Sequence, residues 1–268
     1  MSYLFDHLDS VKGLISQSPF GLITDVDGTI SETAPTPQEA KVHSLCQRYL
    51  SELCRHLPLV AAISGRSVVQ VRDMVGIDGM VYVGNHGLEI WAEGKSELAE
   101  GAADYPGVIA AVIAGLSRRL PMEGLWIEDK RLTASVHYRL HPAPEQAKEA
   151  ILAALRQLPQ ARRLRIILER KAIDILPPAA SKGTAVVDLM KRYRLRAGLY
   201  LGDDFTDVDA FRAVRTAARG WGFRGFAIGV ISQEMPENFI AEADFTLNGV
   251  SDVAHFLEWL SQTVAPPA

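Results

Sequence analysis

Phe20-Gly21-Leu22-Ile23-Thr24-Asp25-Val26-Asp27-Gly28-Thr29 is the stretch that decides the fold. An apolar run stops abruptly on two carboxylates spaced two apart, and Gly and Thr follow. A strand that is apolar throughout belongs to a sheet covered on both faces, and open α/β sheets keep their reactive groups at the C-terminal tips of such strands. Residues two apart on a straight strand share a face, but here the strand is ending. Asp25 can therefore point at a substrate while Asp27 loops over it. Gly28 permits the sharp exit, and Thr29 offers a hydroxyl and a backbone N–H to an anion.

The same grammar recurs outward from this stretch. Leu59-Val60-Ala61-Ala62-Ile63 ends in Ser64-Gly65-Arg66, and residues 80–83 end in Gly84-Asn85-His86-Gly87-Leu88-Glu89. Gly198-Leu199-Tyr200-Leu201 runs into Gly202-Asp203-Asp204-Phe205-Thr206-Asp207. Helical spacing of apolar residues predicts helices over 2–17, 38–56 and 68–75, the last closed by Gly76. It predicts three more from Ser181 to about Tyr193, over 208–214 and over 250–260, with further strands at 226–230 and 244–247. Apolar strands alternating with helices mean an α/β fold with a doubly wound, mostly parallel sheet.

The texture changes after about Gly101. Residues 105–120 read as a helix, followed by strands at 125–129 and 132–140. In the second strand Ala134, Val136 and Tyr138 alternate with Thr133, Ser135, His137 and Arg139, the pattern of an antiparallel strand with one face on a core and one face open. A helix at 144–158 and strands at 164–168 and 172–176 complete the unit, which Pro177-Pro178 closes. The expected organisation is a Rossmann-like core domain of residues 1–104 and 178–268, interrupted by an α+β domain of residues 105–177.

Bulk properties narrow the classes of function. The 268 residues carry 28 basic and 32 acidic side chains, a near-neutral balance with no basic excess for nucleic acid. No apolar segment approaches the ~20 residues of a membrane span. Cys46 and Cys54 lie eight apart in a helical pattern, too far apart to bridge, and read as reduced packing thiols of a cytoplasmic protein. Trp126 and Trp221 read as packing residues, and Arg162-Arg163-Leu164-Arg165 as a solvated face.

Three strand tips carry groups suited to the same chemistry. They bring Asp25 with Asp27, Ser64 with Arg66, and Asp203, Asp204 and Asp207, while Lys182 is added from the start of a helix. Acids converging at one sheet edge repel one another unless a cation sits among them, and oxygen-only ligands favour Mg2+. Lys182 and the Ser64 hydroxyl are then placed to hold a phosphate, with helix N-terminal amides helping. A carboxylate nucleophile against such a phosphate forms an aspartyl phosphate that water must cleave, and Asp27 is the acid and base for the two steps.

In order along the chain, Asp25-Val26-Asp27-Gly28-Thr29, Ser64, Lys182 and Gly202-Asp203-Asp204-Phe205-Thr206-Asp207 resemble the four motifs of the haloacid dehalogenase (HAD) superfamily. Ser64-Gly65-Arg66, Gly84-Asn85-His86-Gly87-Leu88-Glu89 and His137-Tyr138-Arg139 narrow the resemblance to its trehalose-6-phosphate phosphatases. The resemblance implies Asp25 as nucleophile and Asp27 as general acid/base. It implies phosphate held by Ser64, Gly65 and Lys182, and Mg2+ held by Asp25, Asp203 and the backbone carbonyl of Asp27, with Asp204 and Asp207 in support. Arg66, Asn85 and His86 fall among its substrate-binding positions.

By the same resemblance, the α+β domain is a cap that closes over the sugar. Glu128 and Lys130 match two of the family's sugar-binding residues, and Asp174 stands where a second Glu is expected, one methylene shorter. The implied reaction is hydrolysis of trehalose 6-phosphate to trehalose and phosphate. Alternatives keep the chemistry with sucrose phosphate or a glucosylglycerol- or mannosylglycerate-type phosphate, return the phosphate to the sugar as a phosphomutase, or bind a sugar phosphate without turnover. No docking signal for a trehalose-phosphate synthase partner is readable in the sequence.

Overall fold

The computed structural model describes residues 2–34, 36–169, 171–220, 222–231 and 240–265. It separates into two compact units, one of residues 1–97 with 181–268 and one of residues 98–180. The chain begins Ser2–Tyr3 (β1), Leu8–Ile15 (α1), Phe20–Thr24 (β2), Ser44–Leu53 (α2), Leu59–Ile63 (β3), Val68–Val75 (α3), Val81–Gly84 (β4), Glu89–Ala92 (β5) and Lys95–Leu98 (β6). The smaller unit continues Pro106–Ser117 (α4), Trp126–Asp129 (β7), Ala134–His137 (β8), Pro144–Arg156 (α5), Arg165–Glu169 (β9) and Ala172–Leu176 (β10). The larger unit resumes with Lys182–Arg192 (α6), Ala197–Gly202 (β11), Asp207–Gly220 (α7), Arg224–Ile231 (β12), Phe245–Asn248 (β13) and Gly249–Val264 (α8).

Among the described residues the larger sheet has nine strands in the order β1-β13-β12-β11-β2-β3-β4-β5-β6. Every pairing from β1 across to β4 is parallel, and β5 joins β4 antiparallel. β2 is flanked by β3 and β11. Winding from β2 proceeds toward β3 in the first half of the chain and away from β11 in the second. A switch point of this kind opens a crevice outside the C-terminal ends of its strands, which is where Asp25 and Asp203 emerge.

Alternation along the buried strands splits the core into two layers. Leu22, Val60, Leu199 and Leu201 pack with Leu50, Val71 and Phe256 from α2, α3 and α8. Their neighbours Ile23, Ala61 and Tyr200 face the other way, toward Val186, Leu189 and Phe211 from α6 and α7. Both faces being covered is why these strands carry no polar alternation. α3 has the ends its sequence specifies: Ser67 and Gln70 form a reciprocal capping box, and Gly76 turns left-handed at φ 63°.

Three local expectations give way to long-range pairing. Residues 2–17 are not one helix, because Ser2 and Tyr3 pair with Phe245 and Thr246 and the Tyr3 hydroxyl donates to Asp252 at 2.8 Å. The helix expected over 38–56 begins only at Ser44, since Val42 bridges back to Ser31. Residues 89–98, given no element by the sequence, form the strands β5 and β6. In each case the deciding partner lies on another segment, outside any window of local spacing.

In the smaller unit four antiparallel strands run in the order β7-β8-β10-β9. One face lays Ala134, Val136, Ile173 and Ile175 on Ile109, Val112, Leu116, Ile151 and Leu155 from α4 and α5. Register places Glu128, Ser135 and Asp174 side by side across three strands on the opposite face. That face was expected to be open to solvent, yet Thr133, Ser135, Glu128 and Asp174 are all buried. Trp221 lies outside the described residues.

Candidate active site

β2 hands its ladder on by one residue: the Asp25 amide donates to the Leu201 carbonyl at 2.8 Å, fixing the Asp25 backbone against β11. The chain then turns tightly, with the Val26 carbonyl accepting from the amides of both Ile30 and Ser31 at 3.0 Å. Gly28 sits at φ 88°, and a Cβ there would run into the Asp203 carboxylate. Glycine thus serves twice, supplying the left-handed turn and leaving room for an acid from the neighbouring strand tip. The Thr29 hydroxyl donates to Asp203 Oδ1 at 3.3 Å, tying the two tips together.

Lys182 is the first residue of α6, behind an N-cap in which Ser181 Oγ accepts from the Gly183 amide at 3.1 Å. Its buried ammonium donates to Asp25 Oδ1 at 2.7 Å and to Asp207 Oδ1 at 2.8 Å. Asp207 is held from every direction the sequence motif could not show. The Tyr200 hydroxyl donates to its Oδ1 at 2.6 Å, and the amides of Asp203 and Asp204 donate to its Oδ2 at 3.0 and 3.1 Å. Asp204 in turn accepts from the Thr206 hydroxyl and amide at 2.6 and 2.8 Å.

Burial pushes the Asp25 carboxyl well above the ordinary carboxylate range, against the pull of Lys182 and helped by Asp207, Asp203 and Asp204. Asp207 is raised for the same first reason. For Lys182, burial acts downward, but Asp204, Asp207 and Asp25 together outweigh it and hold the ammonium well above the usual lysine value. Asp204 is lowered: burial acts upward there, and Lys182 with the two Thr206 donors overcomes it.

One oxygen each from Asp25, Asp203 and Asp207 lies within 4.8 Å of the others. Four buried or half-buried acids around one ammonium leave an excess of negative charge, and hard oxygen donors of this kind suit a divalent cation. Because Asp207 is taken up by Lys182, Tyr200 and two amides, Asp25 and Asp203 are the carboxylates best placed to hold one.

The adjoining tips interlock. The Arg66 amide donates to Ser64 Oγ at 3.1 Å, the Asn85 amide to the Arg66 carbonyl at 2.7 Å, and the His86 amide to the Ser64 carbonyl at 3.0 Å. Asn85 and His86 are both left-handed, at φ 50° and 54°, and a Cβ on Gly65 would press the His86 ring at 2.6 Å. Glu89 clamps this turn, accepting from Asn85 Nδ2 at 3.0 Å and from the Val68 amide at the head of α3 at 2.8 Å. The Arg66 guanidinium, for its part, grips the Asp27 carboxylate through two contacts of 2.7 Å.

On the smaller unit Glu128 faces Lys130 Nζ at 3.8 Å and His137 Nε2 at 3.2 Å, and the His137 ring stacks on Trp126 with centroids 4.7 Å apart. Asp174 accepts from the Ser135 hydroxyl at 2.5 Å. Glu128 and Lys130 lead into a hairpin whose tip residue Arg131 is left-handed.

Comparison with known proteins gives the family. The family described as trehalose-phosphatase matches residues 23–247. The chain belongs to the trehalose-phosphatase family. A trehalose-phosphate phosphatase of Mycobacterium tuberculosis is 31% identical over 273 residues, covering 98% of this chain and 67% of the relative. A protein of the same organism described as an uncharacterized glycosyl hydrolase is 33% identical over 263 residues, covering 94% of this chain. This chain spans 19% of that relative's length. Among solved structures, the C-terminal domain of C. albicans trehalose-6-phosphate phosphatase matches with a TM-score of 0.77 at 20% identity, over 96% of this chain and 97% of that one. A trehalose-6-phosphate phosphatase related protein matches at 0.73 and 19% identity, over 90% and 97%. These structures speak for the fold alone, an α/β architecture with a large, mostly parallel sheet.

In this member of the family, the structure brings Asp25, Lys182, Asp203, Asp204 and Asp207 together at one edge and sets Asp27, Ser64, Gly65, Arg66, Asn85 and His86 on the adjoining tips. Glu128, Lys130 and Asp174 gather on one sheet of the smaller unit. Sequence reasoning assigned no site role to Tyr200, Glu89 or Ser135. Tyr200 carried a signal all the same, because a hydroxyl inside an otherwise apolar strand must find a partner where it is buried. Among the described residues no helix is long and apolar enough to cross a membrane.

Proposed function

We propose that this chain is a Mg2+-dependent phosphatase that hydrolyses trehalose 6-phosphate to trehalose and phosphate through an aspartyl phosphate on Asp25. The observation that carries the reading is the buried Asp25–Lys182–Asp207 cluster, with Asp203 beside it, in a member of the trehalose-phosphatase family. Asp25 and Asp203, with the backbone carbonyl of Asp27, would hold the cation, which supplies charge neutralisation for the phosphoryl oxygens.

The chain's own residues account for the rest. The Asp25 carboxylate attacks phosphorus in line with the sugar oxygen, and Lys182, already bonded to it at 2.7 Å, steadies the attacking oxygen and the incoming phosphate. Ser64, with the Gly65 amide, offers phosphate contacts from the neighbouring tip. As the phosphorus–oxygen bond to the sugar breaks, the protonated Asp27 carboxyl gives its proton to the leaving oxygen. The resulting Asp27 carboxylate then takes a proton from water, whose oxygen attacks the same phosphorus and releases phosphate and free Asp25. Asp207 touches no reacting atom in this scheme. It holds Lys182 and the loop amides of Asp203 and Asp204 in place.

The row of Glu128, Lys130 and Asp174 supports the smaller unit as the part that recognises sugar hydroxyls, since carboxylates and an ammonium on one sheet face make charge-assisted bonds to them. The unpaired thiols of Cys46 and Cys54 are in keeping with a reducing cytoplasm. The test is phosphate release over a panel of sugar phosphates, with Mg2+ and with chelator. Trehalose 6-phosphate is expected to give the highest kcat/KM and to lose turnover with chelator. A preference for sucrose phosphate, or for a glucosylglycerol- or mannosylglycerate-type phosphate, overturns the substrate, and turnover indifferent to chelator overturns the cation.

A further inference from the structure

Arg66 was expected among the substrate-binding residues, and in this structure its side chain lies against Asp27 and Pro37. Nε and Nη2 each donate at 2.7 Å to a different oxygen of the Asp27 carboxylate, and Nη1 donates to the Pro37 carbonyl at 2.9 Å. The backbone of Arg66 is pinned at both ends, its amide on Ser64 Oγ and its carbonyl under the Asn85 amide. The Arg66 side chain is only 12% exposed, whereas the Asp27 side chain is 41% exposed. One partner is thus a buried fixture and the other presents an open edge.

Asp27 needs such a fixture. It lies beyond the end of β2, next to left-handed Gly28, where its backbone bridges Ser31 but that pairing does not set its side-chain plane. A planar guanidinium engaging both oxygens sets that plane, which a lysine ammonium, as a point charge, does not. In the acid form the O–H oxygen keeps a lone pair for the same fork while its proton points away from it. We propose that Arg66 is a positioning residue that fixes the plane and reach of the Asp27 carboxyl for proton transfer to the leaving oxygen, acting through Asp27 and not on the substrate. The inference rests on Asp27 being the general acid.

The consequence is a dependence on the leaving group. A sugar alkoxide needs a proton as it departs, whereas a nitrophenolate does not, so misplacing the acid penalises the first and spares the second. Arg66→Lys keeps the charge without the fork, and Arg66→Gln keeps some hydrogen bonding without the charge. In single-turnover experiments with Mg2+ and excess enzyme, both variants are expected to slow alcohol release from the sugar phosphate by about 100-fold. Release of nitrophenol from its phosphate is expected to stay within about threefold of wild type. On an Asp25→Asn background, which binds without turning over, Arg66→Gln is expected to leave the dissociation constant for the sugar phosphate unchanged.

Equal slowing of both substrates, or a sugar-phosphate dissociation constant raised tenfold or more, overturns the proposal in favour of direct substrate binding. Asp27→Asn separates this from failure of the underlying reading, because it must itself show the leaving-group split; if it does not, Asp27 is not the acid. Thermal melts of both Arg66 variants report folding. If Arg66→Gln does not fold, Arg66→Lys decides, and in combination with Asp27→Asn it is expected to add no further loss. An additive loss in that double variant also overturns the proposal.

Discussion

The acids at the tips of β2 and β11 and the acids across the sheet of the smaller unit are held by different kinds of partner. Asp25 and Asp207 are anchored to backbone or to deeply buried donors: strand pairing to Leu201 for the first, two loop amides, Tyr200 and Lys182 for the second. Glu128 and Asp174 rest on side chains of the same small sheet, His137 and Lys130 for the one and Ser135 for the other. A site set by backbone amides has little room to change residue type, since moving a carboxylate by one methylene strands several donors at once. A row set by side chains can be rebuilt by exchanging one neighbour.

The sharpest way to break this contrast is at the nucleophile. Asp25→Asn is expected to lower kcat by at least about 10⁴-fold, read as phosphate release with Mg2+, because no neighbouring acid shares its anchored position. Retained turnover would sink the mechanism. Next comes Lys182→Met, which leaves Asp25 and Asp207 buried beside each other without their shared cation. Loss of one member of a buried ion pair costs about 3–5 kcal/mol, here a fall in Tm of roughly 10 °C in chelator. A variant melting with the wild type would show that the ammonium does not compensate the two acids.

The smallest effect is expected on the side-chain row. Asp174→Ala is expected to raise KM for the disaccharide phosphate about tenfold, one charge-assisted hydrogen bond's worth, and to leave KM for an aryl phosphate unchanged. Equal effects on both substrates would remove Asp174 from sugar recognition.

How much of this was legible depended on the range of the interaction. The apolar strands, the helix ends at Ser67 and Gly76 and the acids at strand tips are written in local spacing, because burial on both faces and turn chemistry leave local marks. Residues 2–3, 38–43 and 89–98 depart from what local spacing predicts because their structure is set by pairing with other segments. Thr133 and Ser135 alternate like a solvated face and yet are buried, since alternation separates two faces without saying what each one meets.

By itself the sequence determined the fold class, the family and which residues stand at the ends of the central strands, since strand burial and loop chemistry are properties of short segments. Only the tertiary structure decided which of those residues meet. It put Tyr200 under Asp207, wedged the Asp203 carboxylate against Gly28, and turned the Arg66 guanidinium onto Asp27. Those contacts join residues 7, 175 and 39 positions apart in the chain, and no pattern of local spacing records them.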